Sequence, residues 1–172
     1  QYRVNKLTIA MDMGLAVNPN NVKAQIMGVY SPDLTGMLAK SLGNLGLTRA
    51  YVVHGMDGLD EITITDRTKV SELLNGTVND YYIHPSDLDL PTGKPGDLKG
   101  GDAQENASIT IGVLKGQVGP CRDIVLLNAA AGLTAAGKAK DLREGIGIAG
   151  ESIDSGAAMG KLDALKKFTN RP

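Results

Sequence analysis

Between Lys23 and Gly55 the sequence runs from an apolar segment into a helical repeat and back into an apolar segment, and few folds accept that order. Lys23–Tyr30 ends against Ser31–Pro32, and proline disfavours continuation of a strand. Ser31 then stands where an N-cap belongs, with Pro32 at the first helical position. Leu34, Met37, Leu38, Leu42 and Leu45 recur at helical spacing until Gly46 supplies a stop. Ala50–His54 follows as a short apolar run closed by Gly55. Strand, helix and strand in succession predict a right-handed parallel crossover, and hence an α/β fold.

Further on, Glu61–Thr65 alternates and reads as a short strand, while Lys69–Leu74 and Thr77–His84 flank Asn75–Gly76, the strongest two-residue hairpin signal. Pro85–Gly101 is rich in Pro, Gly and Asp without a sustained period, which predicts a surface loop. Asp102 and Glu105 have capping-box spacing ahead of a helix with Ile109, Val113 and Leu114 on one face. Asp123–Ala136 predicts a second helix. Asp141 and Glu144 repeat the capping spacing and open a third, running toward Asn170 with a break expected near Ser155–Gly156. The pattern is that of a single domain over residues 1–172: a mainly parallel sheet with a β-hairpin and flanking helices. Glycines at 132, 145, 147, 150, 156 and 160 each cost up to about 1 kcal/mol in a helix interior, so close helix packing is expected to offset them.

Composition narrows the function classes. With 42% hydrophobic and 22% charged residues the chain suits a globular core. A net charge of -1, with Lys and Arg scattered, gives no field to attract a polyphosphate backbone. With 3% aromatic residues there are few platforms for base stacking, so nucleic acid is not expected as a partner on sequence grounds. One cysteine, Cys121, excludes an internal disulfide and points to a reducing, cytoplasmic compartment. No apolar run reaches the roughly 18 residues of a membrane span, and Gln1–Lys6 does not lead into a signal core. A start at Gln1 rather than Met suggests cleavage or an artificial boundary.

Several segments, in order, resemble the anthranilate phosphoribosyltransferases: Asn18–Pro19, Gln25–Pro32, Val52–Gly55 with Gly58–Ile62, Gly100–Ala107 (GGDAQENA) and Val125–Ala131. That resemblance implies a nucleoside phosphorylase/phosphoribosyltransferase-like carboxyl-terminal domain, acting on phosphoribosyl pyrophosphate and anthranilate in tryptophan biosynthesis. It implies that Asp60 and Glu61 bind the Mg2+ accompanying the pyrophosphate, and hard oxygen ligands suit that ion. It also places Gly14 beside the anthranilate pocket, in a segment, Met13–Pro19, where Leu15 replaces the family's usual Pro. Thr8–Asp12 departs further, with Ala10, Met11 and Asp12 at positions where other residues are usual. The family's phosphate-binding loop, its diphosphate-contacting Lys and the Arg that places anthranilate lie upstream of this chain's start. The resemblance therefore implies a truncated portion, not expected to be active alone.

Such transfer needs charge neutralisation and positioning more than acid–base help, and no residue here is a persuasive general base. His54 and His84 read as strand-end structural residues, Asp102 and Glu105 as a helix cap, and Asn128 as the partner of a neighbouring loop. A sheet edge or helical surface uncovered by the absent half would favour self-association through that edge; the resemblance places the family's own dimer interface in its amino-terminal helical region, so that interface is not expected here. Two other readings stay open on the sequence: an engineered or non-catalytic scaffold with this fold, and a nucleic-acid-binding relative.

Overall fold

The computed structural model describes residues 22–170. Strand β1 (Ala24–Gly28) leads into helix α1 (Leu34–Asn44) and strand β2 (Arg49–Gly55), followed by the hairpin β3 (Thr68–Leu74) and β4 (Thr77–Ile83). Helices α2 (Ala103–Leu114), α3 (Pro120–Ala135), α4 (Leu142–Asp154) and α5 (Ala157–Thr169) complete the described chain. Among the described residues the sheet order is β1-β2-β3-β4. The α/β class is as expected, but the sheet is mixed: β1 and β2 are parallel, and β2/β3 and β3/β4 antiparallel. No helix among the described residues is long and apolar enough to cross a membrane.

The crossover forms where the apolar spacing places it, although α1 starts later than Ser31–Pro32 suggests. Residues 31–33 make a turn in which the Leu34 N–H donates to the Ser31 carbonyl at 3.2 Å, and Asp33 becomes the N-cap. At the other end Gly46, at φ 92°, donates to Gly43 O, and Leu47 N–H reaches back to Leu42 O at 3.1 Å. This paired closure satisfies the last carbonyls and turns Leu47 into the core. Asn75 and Gly76 both take positive φ, 48° and 86°, as a tight two-residue hairpin demands.

Strand β2 is buried on both faces, which is why its sequence is a continuous apolar run instead of an alternation. Ala50 and Val52 pack with Ala39 and Leu42 of α1, whereas Tyr51 and Val53 face Leu127, Ala131 and Ala135 of α3. The sheet is thus sandwiched between α1 and α3. Pro85–Gly101 contains two short 3-10 turns, Pro85–Leu88 and Pro95–Leu98, and sets Leu88, Leu90 and Leu98 against the α3-side core. It is strapped down, not free.

Asp102 and Glu105 form the expected capping box, with Asp102 Oδ1 accepting from Gln104 and Glu105 N–H, both at 2.9 Å, and Glu105 Oε2 accepting from Asp102 N–H. Helix α3 begins at Pro120, three residues ahead of Asp123, because proline fits the first helical turn. The expected break falls between α4 and α5, at Gly156 with φ 78°. Arg122 at the start of α3 clasps Asp154 at the end of α4 through two hydrogen bonds of 2.7 and 2.9 Å.

Candidate functional site

Beyond Gly55 the chain makes a tight turn, closed by Gly58 N–H donating to Gly55 O and by Gly55 N–H donating to Leu59 O at 2.8 Å, with Gly58 at φ 100°. Asp60 and Glu61 follow it, and both are exposed. The turn folds back across the carboxyl ends of the two parallel strands. There Gly28, the last residue of β1, lies directly against the Asp60 carbonyl; a Cβ on Gly28 would fall 1.5 Å from that oxygen. Ligands of open α/β sheets bind at this edge. Val29, just past β1, is held by Val53 O and by the buried His54 ring, whose Nδ1 lies 2.7 Å from the Val29 carbonyl. His54 is thus a structural imidazole.

Asp57 organises the turn. Its carboxylate accepts from the Leu59 N–H at 3.2 Å, from Thr63 Oγ1 at 2.6 Å and from Thr65 Oγ1. Burial pushes its carboxyl up, but these hydrogen bonds together outweigh that and hold it below its ordinary value. A depressed folded pKa contributes stability above the unfolded pKa of about 3.9, lost as pH falls through the lower folded value. Asp57→Asn should therefore lose less of its stability on acidification than the parent. Denaturant midpoints measured across a pH series check this, and parallel acid losses in both proteins would refute it.

Glu61–Thr65 is not a strand. Ile62 and Ile64 are buried as expected, but so is Thr63 between them, and no ladder among the described residues pairs this segment. Side chains take the ladder's place: Asn128 Oδ1 accepts from Ile62 N–H at 3.0 Å while Asn128 Nδ2 donates to Ile62 O at 2.8 Å. Thr63 N–H donates to Thr68 Oγ1, and Gly93 N–H donates to Ile64 O. Asn128 is, as expected, the partner of a loop.

Among the described residues no three His, Cys, Asp or Glu side chains converge as a metal cluster. Asp60 and Glu61 offer two hard oxygen donors, a set that fits Mg2+ if phosphate oxygens and water complete its shell. Gly14 and the segment Thr8–Val17 lie outside the described residues. Cys121 Sγ contacts the Asp97 carbonyl at 3.5 Å and lines a pocket together with Leu59 and Glu61, whereas His84 caps the 3-10 turn after β4. Sequence reasoning missed Gly28, Asp57, Thr63 and Thr65. Asp57–Gly58 carries a turn signal, and a glycine ending a strand can mark close backbone approach, but neither pattern names its distant partner.

Residues 3–159 match the model of the glycosyl transferase family, a/b domain. The chain is 48% identical over 163 residues to the anthranilate phosphoribosyltransferase of Acetivibrio thermocellus, covering 95% of this chain and 47% of that protein. With the enzyme of Desulfatibacillum aliphaticivorans it shares 50% identity over 157 residues, 91% of this chain and 46% of the relative. The chain spans about half the length of these curated relatives. The crystal structure of anthranilate phosphoribosyltransferase from Thermus thermophilus superposes with a TM-score of 0.83 at 35% identity, covering 93% of this chain and 47% of that one. The Saccharomyces cerevisiae enzyme in complex with PRPP and Mg gives 0.73 at 28% identity, covering 81% and 41%. Through a match that runs from ahead of β1 into α5, the chain belongs to the glycosyl transferase family, as its a/b domain.

Proposed function

We propose that this chain is the carboxyl-terminal α/β part of an anthranilate phosphoribosyltransferase, and that Asp60 and Glu61 hold the Mg2+ that accompanies the diphosphate of phosphoribosyl pyrophosphate. The observation that carries the reading is the placement of two exposed carboxylates at the carboxyl edge of the parallel pair, on backbone pinned at Gly28 and Ile62. In the transfer, the bond from ribose C1 to the diphosphate oxygen breaks, the anthranilate nitrogen bonds to C1, and an amine proton is released. Bound Mg2+ would supply charge neutralisation for the departing diphosphate. The carboxylates orient that charge, and positioning does the rest of the work. Anthranilate would approach from the Gly14 side, and residues 1–172 would act as one α/β unit in this role.

The test joins this chain to the amino-terminal half of a relative and follows anthranilate fluorescence. Transfer should require Mg2+, and Asp60→Asn with Glu61→Gln should slow it by about one to two orders of magnitude. Undiminished transfer by the double variant, or no transfer with any relative's amino-terminal half, would overturn the reading.

A further inference from the structure

We infer that Asn128 is a positioning residue for Glu61, fixing from helix α3 the backbone that aims the Glu61 Cα–Cβ bond and so the space its carboxylate can reach. The inference rests on the magnesium reading of Asp60 and Glu61 above. Its basis is the peptide plane. The N–H that Asn128 Oδ1 accepts belongs to Ile62 and so lies in the plane of the Glu61–Ile62 peptide bond. Holding that N–H fixes ψ of Glu61. On the other side, the Asp60 carbonyl lies in the Asp60–Glu61 plane and is seated on Gly28 of β1. Both planes flanking Glu61 are therefore set by neighbouring elements, one by β1 and the other by α3, although Glu61 itself is exposed.

The side chain at 128 must be an amide for this arrangement. Its Nδ2 donates to Ile62 O at 2.8 Å and to Ile124 O at 3.0 Å, while Oδ1 takes the Ile62 N–H. The reverse orientation would set N–H against N–H and C=O against C=O, so the network fixes the flip. Burial of Ile62 at 1% and Ile64 at 0% exposure holds the segment against the core but leaves rotation of the peptide planes free. Asn128 removes that freedom. Groups that orient a metal's ligands commonly affect affinity nearly as much as the ligands themselves.

The test reads Mn2+ binding to the full chain in the presence of inorganic pyrophosphate, by the electron paramagnetic resonance of free Mn2+, alongside hydrogen exchange of backbone amides. Asn128→Ala should weaken Mn2+ binding about tenfold. It should also speed exchange at Ile62, with the β2 and β3 amides unchanged. Asn128→Asp keeps an acceptor for the Ile62 N–H but turns its other carboxylate oxygen on the Ile62 and Ile124 carbonyls that Nδ2 reaches at 2.8 and 3.0 Å, so its loss should be at least that of Ala. Parental binding by Asn128→Ala overturns the inference. If the Ala variant does not fold, Asn128→Asp alone decides: a loss of about twofold or more supports the inference and parental binding overturns it. Glu61→Gln separates the two claims. If it leaves Mn2+ binding unchanged, the magnesium reading fails; if it weakens binding and the Asn128 variants do not, only the present inference fails.

Discussion

Gly28→Ala is expected to destabilise the chain by about 3 kcal/mol or more and to lower its melting temperature by about 6–12 °C. The added Cβ would stand 1.5 Å from the Asp60 carbonyl oxygen and 2.6 Å from its carbonyl carbon, and both are backbone atoms that no rotamer change can move. Neither partner can yield easily. Gly28 is paired with Val53 in the parallel ladder, so β1 cannot retreat without breaking register. The loop on the other side is closed by Gly55 N–H on Leu59 O, tied down by Asp57 and gripped at Ile62 by Asn128. Relief has to come from lifting Asp60 off the strand end, and the carboxylate pair moves with it. Thermal melting of the parent and variant checks the stability, and Mn2+ binding in pyrophosphate checks the displacement. A Gly28→Ala chain that melts with the parent would mean the loop shifts at no cost, contrary to the contacts that pin it.

This contact illustrates which parts of the fold were legible in sequence. The β1–α1–β2 crossover, the Asn75–Gly76 hairpin and the Asp102–Glu105 cap were readable because each depends on residues a few positions apart. Asp60 and Glu61 stood out through their motif. What fixes them did not, because Gly28 and Asn128 are remote in sequence and act on backbone atoms, whose partners leave no side-chain pattern. Glu61–Thr65 shows the same limit from another direction. Alternating apolar and polar residues look identical whether the backbone is satisfied by a neighbouring strand or by Asn128 and Thr68 side chains, so a strand was expected where a loop with Ile62, Thr63 and Ile64 all buried occurs. The mainly parallel sheet was likewise too generous: the hairpin adds two antiparallel pairings to one parallel pairing among the described residues.

The helical glycines separate in a way their spacing could not announce, and the separation gives a paired result in one helix. A Cβ on Gly145 would lie 2.8 Å from Ala130 Cα and 2.9 Å from both Ala130 Cβ and Ala130 O, so α3 and α4 meet backbone to backbone there. A Cβ on Gly147, two residues along α4, would meet nothing within 4 Å. Gly145→Ala should therefore cost about 3 kcal/mol, because overpacking outweighs the gain of about 1 kcal/mol in helix propensity, with a fall of about 6–12 °C in melting temperature. Gly147→Ala keeps only the gain and should raise the melting temperature by about 2–4 °C. Of the six glycines expected to permit close packing, 132, 147, 156 and 160 have open space instead, so packing does not explain them; Gly156 is accounted for by its positive φ of 78°. The Gly145 contact also bears on the site. Ala130 lies two residues beyond Asn128 on α3, and a methyl group that pushes α3 off α4 moves the amide that holds Ile62. Gly145→Ala should thus weaken Mn2+ binding along with stability, while Gly147→Ala leaves binding at the parental level. Equal melting shifts from the two variants would show that α3 and α4 yield to the added methyl, and would remove the tight seam as a support for Asn128.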